Sequence, residues 1–473
     1  MVKENEDDLE EKMISRKDKM QEMIGIDSDC RDSSHLAKIR RFPRLRRIFR
    51  SMNSGSLRKV VLMWLRMSMG FGMLTLPFYS KQFGGITVCL LLIIASLINY
   101  QSYTFIFDAA YHLNNYNYSN LIENLLGSSF LNVFRITYLI DIFSTIIINS
   151  IICWNMFEYM IYFFNIGEKY WKDWILDLNN LTFNELNPTI IKIRGFFFYG
   201  TLLVILPLIL KKNLAGLQKV TVGYLVALIT LVLIIVIEVP FYKAAYKNED
   251  IGFHLLKKPD FNWLECFLGI CGCFYVQPFV FSLRKELFIA NKRRIVKVSS
   301  IGVKIAGIIF IILAFFGYFA LGDIYTPVLF ILRKPYPNKN YLSEMIFRCS
   351  ITIFFVFNTL GLAMYSSIVR DYIYQLFNIS KGKIKYILIS ILPYFSMFTI
   401  GFVYPHVISF TNLFGLTIYN FNGYIIPFLL KIKMNQINNA SLIVKTFTWI
   451  GFAIFASFGI IGLVFRFEGL VNL

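Results

Sequence analysis

Charge is scarce in this chain. Of its 473 residues only 16% are charged and 56% are hydrophobic, whereas a soluble domain carries nearer a quarter charged residues. That shortage excludes a water-soluble fold. The apolar residues run in long blocks and do not alternate with polar ones, which excludes a β-barrel. Histidine is equally sparse, at four residues. His112, His254 and His406 fall in or beside loops, so no apolar run carries an imidazole to act as base or ligand. No nucleotide-binding loop is present, and Cys271 and Cys273 are too closely spaced for a metal pair. These absences argue against a membrane enzyme and leave no metal or cofactor to expect. The seven cysteines are an odd number, mostly within apolar runs, and give no disulfide framework.

What is present is a series of apolar segments of bilayer-spanning length, roughly 20 residues each at helical rise. The expected spans are Val60–Tyr79, Gly85–Phe107, a third within Ile136–Phe164, Gly195–Leu210, Leu217–Ile237, Trp263–Leu283, Ser299–Leu321, Met345–Ile368, Ile384–Val403, Val407–Leu430 and Leu442–Val464. The fold class expected is an all-α integral membrane protein of about 11 helices. Residues 1–57 are polar, with no apolar leader, and read as a disordered cytosolic tail. Its basic run, Arg40 to Arg50, suits anionic lipid or simply sets topology. Residues 58–473 form the membrane domain. The net charge of +19 is spread over loops and this tail, which suits orientation of a multi-pass chain and not nucleic-acid binding. With the N-terminus in the cytosol, the inner loops are strongly basic and the outer loops mixed. Asp108 to Gly127 is the exception, with no lysine or arginine. Asn180, in Asn180-Leu181-Thr182, is then the one sequon on the outer face and the expected glycosylation site.

Two spans are badly made as helices. The first contains Ser68-Met69-Gly70-Phe71-Gly72-Met73-Leu74-Thr75-Leu76-Pro77, and the sixth contains Gly269-Ile270-Cys271-Gly272-Cys273-Phe274-Tyr275-Val276-Gln277-Pro278. Glycine weakens a helix interior by about 1 kcal/mol against alanine, and proline removes a backbone bond. In hydrocarbon such backbone survives only where it is buried or lines a cavity. Interrupted helices at matching places in two halves of a chain point to a transport site between inverted repeats.

Gly70-Phe71-Gly72-Met73-Leu74-Thr75-Leu76-Pro77 with Gly84-Gly85 resembles the first-helix signature of the amino acid/auxin permease family, within the amino acid–polyamine–organocation superfamily. Pro207 to Leu214, Phe281 to Leu287 with Gly317 to Gly322, and Asn412-Leu413-Phe414-Gly415 with Ile426-Pro427 are similar to later motifs of that family, in order. The likeness covers about Lys59 to Leu473. It departs at Tyr275-Val276, where many relatives hold a histidine, and at Ser282, where a proline is common. The resemblance implies a LeuT-type fold: five helices, five more in inverted repeat with helices 1 and 6 unwound at mid-depth, and one extra C-terminal helix.

On that reading the substrate-binding residues are Ser68, Met69, Gly70, Phe71, Gly72, Gly272, Cys273, Phe274, Tyr275, Asn358 and Thr359. Freed N–H groups around Ser68–Gly72 and Gly272–Phe274 would face the cavity. They suit a carboxylate and freed carbonyls an ammonium, so an amino acid is matched without charged side chains. Arg66 and Asp141 are ionisable groups inside spans and are assigned to the ion path. Arg66, one turn before the first break, would oppose a nearby Na⁺; it either pairs with an eighth- or third-span partner such as Asp141 or pairs locally. Asp141 either bridges Arg135 or binds a coupling proton. The expected function is a secondary or facilitative amino acid transporter working by alternating access, with protons and not sodium as the coupling ion. The alternatives are a carrier of another small amine or drug, or a sensor on the same fold. The bilayer, an amino acid and protons are the expected partners, and the membrane is the plasma membrane or a vacuolar or organellar one.

Overall fold

The computed structural model describes residues 56–163, 188–210, 218–245, 252–257, 263–287, 290–325, 341–377, 379, 382–403 and 414–471. All of the regular structure in them is helical. In chain order the helices are α1 (Leu57–Ser68), α2 (Leu76–Phe83), α3 (Gly85–His112), α4 (Tyr118–Leu126), α5 (Ser128–Phe163), α6 (Pro188–Ile209), α7 (Gln218–Ala245), α8 (Trp263–Gly272), α9 (Val280–Lys285), α10 (Lys292–Tyr325), α11 (Tyr341–Leu376), α12 (Lys383–Val403), α13 (Ile426–Ile437) and α14 (Leu442–Val471). Asn180 lies outside the described residues.

Helix ends follow local chemistry. The Ser56 hydroxyl accepts from the Lys59 N–H at 3.3 Å and caps α1. Asn117 caps α4 through the Ser119 N–H. Gly84 stands between α2 and α3 with φ of 94°, a conformation that an L side chain rarely adopts. Two strand-like bonds then follow, Gly85 N–H to the His254 carbonyl and Ile86 N–H to that of Leu255, fastening the loop at 252–257 over this end. The segment from Asp108 to Gly127, expected as a plain loop, contains α4. Leu121 and Ile122 on one face of α4 are fully buried, a one-sided pattern too short to register as a span.

Among the described residues, eight helices are long and apolar enough to cross a membrane, or nine when the bent pair Leu57–Ser68 and Gly72–Phe83 counts as one span. Two of the eleven expected spans fall short. The apolar part of the fourth is Tyr199–Ile209. The tenth, expected over Val407–Leu430, lies partly outside the described residues. From Gly415 it runs as two π-helical turns, Gly415–Tyr419 and Phe421–Ile425, into α13.

Packing sorts the helices by depth. The window Cys266–Lys285 is 89% buried, whereas Leu442–Gly462 is 11% buried. The broken sixth span is therefore central and α14 peripheral, its Leu442, Ile443 and Phe447 turned to lipid. Helices α1, α2 and α3 pack along α10, while α11 lies against both α5 and α7 and α12 against α5. The broken spans sit where these two groups meet.

Candidate functional site

The first break opens directly after α1. The Met69 N–H still bonds the Leu65 carbonyl at 2.7 Å, but the Gly70 N–H turns back to Ser68 at 2.8 Å. The chain then restarts as a 3₁₀ turn, Phe71–Thr75, and α2 leaves at a bend of 50°. The second break runs from Cys273 to Val276, between α8 and the short turn Gln277–Phe279. The two breaks touch. A Cβ added at Gly72 would lie 2.6 Å from Cys273 Sγ and 3.2 Å from its Cα, so only glycine allows this approach. The Ser68 hydroxyl donates across it to the Cys273 carbonyl at 3.2 Å.

The sixth-span break differs from expectation. The N–H groups of Cys273, Phe274 and Tyr275 bond the carbonyls of Ile270, Cys271 and Gly272, a tight turn that leaves none of them for a ligand. Its carbonyls are met by side chains as well. Tyr103 donates to Phe274 O, and Tyr424 and Asn99 donate to Cys271 O at 3.0 and 3.3 Å. Val276 N–H donates to Tyr103 Oη and Gln277 Oε1, both at 3.0 Å. At the first break, among the described residues, Met69 O is met by the Tyr224 hydroxyl and Gly72 O by the Thr75 hydroxyl at 2.8 Å.

Beside the breaks lies a cavity of about 60 Å³, lined by Ser68, Gly70, Gly72, Gly272 and Tyr275 among the expected residues. One water needs roughly 10–15 Å³ counted this way, so the space takes a small polar headgroup. Its other walls come from residues not assigned to the site by sequence. Thr145, Ile148 and Asn149 belong to α5, Tyr365 to α11, and Gly415 and Tyr419 to the π turn. Tyr275 stacks on Tyr419 with ring centroids 4.8 Å apart. No charged side chain lines it among the described residues. Asn149 spends its NH₂ on the Thr145 carbonyl at 2.8 Å, while its buried Oδ1 has no partner. A cavity with glycine backbone in its wall, one unpaired acceptor and no charged side chain among its described lining residues accommodates a neutral zwitterion.

The remaining expected residues stand behind this wall. Met69 and Phe274 are fully buried, and the Phe274 ring packs edge-on to Phe310. Cys273 Sγ reaches the Gly269 carbonyl at 3.5 Å. Asn358 and Thr359 both reach Cys153 Sγ. The Phe71 side chain lies outside the described residues.

Arg66 and Asp141 do not pair with each other. Arg66 is 1% exposed and donates to Asn358 O and Oδ1, each at 3.3 Å. Its guanidinium lies 3.6 Å over the Tyr224 ring. Asp141 has no arginine partner either: its Oδ2 accepts from the Tyr275 hydroxyl and from Asn422 Nδ2. The helical phase explains both outcomes. Arg135 lies six residues before Asp141, off its face, whereas Thr145 and Asn149 follow at i+4 and i+8 and share that face. A reading of the third span by this spacing would have found the cavity wall. The capping tyrosines carry no such signal, since 27 tyrosines are spread through the chain.

A family model described as transmembrane amino acid transporter protein matches residues 53–468. Among curated proteins, the chain is 21% identical over 327 residues to a putative amino acid transporter, AAT1, of Plasmodium berghei (strain Anka). That alignment covers 69% of this chain and 49% of the relative, so the chain spans about half the length of the relative it matches. A solved structure of MhsT in complex with L-phenylalanine is alike in fold, with a TM-score of 0.52 over 88% of this chain and 99% of that one, at 12% identity.

Proposed function

The chain belongs to the transmembrane amino acid transporter family, a family of transporters and not of enzymes, and from that premise we propose that it carries amino acids across a membrane by alternating access. The observation that supports this best is the cavity beside two broken spans, lined by Ser68, Gly70 and Gly72 and by no charged side chain among the described residues. A half-helix N-terminus suits the carboxylate and an acceptor such as Asn149 Oδ1 the ammonium. An amine without a carboxylate finds no acidic partner in this lining, which favours an amino acid over a simple organic cation.

Eleven spans, five and five in inverted repeat plus α14, complete the reading. The group of α1, α2, α3, α8 and α10 rocks against α5, α6, α11 and α12. Arg66 stands where a coupling sodium ion would be opposed by a buried guanidinium, so the carrier runs without sodium. The N-terminus is cytosolic, by the basic inner loops.

Reconstitution of the full-length protein in liposomes tests this. Loaded with unlabelled amino acids, the vesicles take up the labelled amino acid by counterflow, at equal rates with Na⁺ or with choline outside. Binding without counterflow makes the protein a sensor. Uptake that climbs steeply with external Na⁺ at constant pH refutes the role given to Arg66.

A further inference from the structure

We infer that Asp141 is the group that takes up and returns the coupled proton, and that Tyr275 carries its state to the cavity. This rests on the transporter reading above. Asp141 is fully buried in the middle of α5, one helical turn from Thr145 and two from Asn149, both in the cavity wall. A lone carboxyl at this depth is costly unless it has a task. Its surroundings supply no countercharge. The titratable groups facing it are Tyr118 from α4, Tyr138 from its own helix, Tyr275 from the sixth-span break and Tyr419 from the π turn. No lysine, arginine or histidine is among them, and no ion pair reaches Asp141 among the described residues.

The bonding leaves a place for the proton. Oδ2 is taken by Tyr275 and Asn422, while Oδ1 is buried and has no partner. The Asn422 amide is oriented with its Oδ1 towards the Thr137 hydroxyl at 3.0 Å and its NH₂ towards Asp141. Tyr275 is the contact to the cavity, since its ring lines that space while its hydroxyl reaches Asp141. A proton arriving from water on one side binds Oδ1, turns the carboxylate into a neutral acid, and leaves to water on the other side.

The mechanical consequence follows from which elements are joined. Asp141 ties α5 to the broken sixth span through Tyr275 and to the second π turn through Asn422. Bonds to an ionised carboxylate are roughly twice as strong as bonds to a neutral one. The ionised form therefore clamps both irregular segments to α5, and protonation loosens them together. One group thus links the proton to the two segments that bound the ligand space.

The test uses the full-length protein in liposomes and an amino acid that the wild type exchanges. Asp141→Asn keeps an acceptor for Tyr275 and Asn422 but cannot titrate. It should lose at least about tenfold in accumulation driven by a pH gradient, a size typical of site-to-site coupling, while exchange at equal pH stays within about threefold. Asp141→Glu should restore part of the gradient response. Tyr275→Phe keeps the stack on Tyr419 and removes only the hydroxyl, so it should move the pH of half-maximal exchange. Tyr372→Phe, whose hydroxyl donates to the Arg135 carbonyl and which does not line the cavity, should not move it. Gradient-driven accumulation by Asp141→Asn equal to the wild type overturns the inference, as does a wild type indifferent to the gradient. If Asp141→Asn fails to fold, an unchanged pH profile in Tyr275→Phe overturns it alone. A wild type that exchanges no amino acid refutes the transport reading itself.

Discussion

The two breaks are built differently. In the sixth span every N–H from Cys273 to Val276 is bonded, and the carbonyls of Cys271, Cys273 and Phe274 are met by Tyr424, Asn99, Ser68 and Tyr103. In the first span Gly70 and Gly72 line the cavity, and only two side chains, Tyr224 on Met69 O and Thr75 on Gly72 O, meet its carbonyls among the described residues. An exposed polar group in a membrane is stabilised either by the protein or by what the protein binds. The sixth-span break has been stabilised by the protein and acts as a frame. The first-span break, with fewer such bonds and Gly70 and Gly72 in the cavity wall, is the one the proposed ligand would meet. Paired interruptions therefore need not be equivalent halves of a site.

The sharpest way to break this comparison is at Gly70. A Cβ there meets nothing within 4 Å, whereas one at Gly72 meets Cys273. Gly70→Leu should project into the ligand space and lower counterflow by about 100-fold or more, equivalent to roughly 2.7 kcal/mol of binding. Its thermal unfolding in detergent should match the wild type. Gly72→Leu should instead lower stability, because it pushes the two breaks apart. Normal transport by Gly70→Leu would move the ligand away from the first break.

A smaller effect tests the frame. Tyr103→Phe takes the donor from Phe274 O and one of two acceptors from Val276 N–H. Leaving a buried carbonyl unmet costs about 1–3 kcal/mol, so the unfolding midpoint should fall while the exchange KM stays within about threefold. A large rise in KM with unchanged stability would place the sixth-span break in the binding site and erase the contrast.

Sequence made the breaks legible and their inequality illegible. Gly70, Gly72, Pro77, Gly272 and Pro278 are local signals, because a helix cannot run through them unchanged whatever surrounds it. Most of what closes each break is not local. Tyr103 and Asn99 come from α3, Tyr224 from α7 and Tyr424 from the second π turn, and in a chain rich in tyrosine nothing marks these few. The π turns also escape notice, since Gly415 to Ile425 reads as ordinary apolar helix and the extra residue per turn shows only in backbone bonding. Asp141 was visible as a charge inside a span. Its partners were not, because nearness in sequence suggested arginine while the fold supplied Tyr275 and Asn422.

The finest test lies at the side-chain bond that joins the two breaks. Ser68 lines the cavity, and its hydroxyl spans 3.2 Å to the Cys273 carbonyl. Ser68→Ala removes one neutral hydrogen bond, worth about 1 kcal/mol, and leaves the shape of the wall almost unchanged. If the first break receives the ligand while held against the frame, the loss should appear in both readouts at once. The unfolding midpoint should drop slightly, and the exchange KM should rise about two- to fivefold, the equivalent of roughly 0.4–1 kcal/mol. A stability change with KM unmoved would mean that the hydroxyl only ties the breaks together. A KM change with stability unmoved would mean that the contact to Cys273 is incidental and that the first break holds its shape unaided.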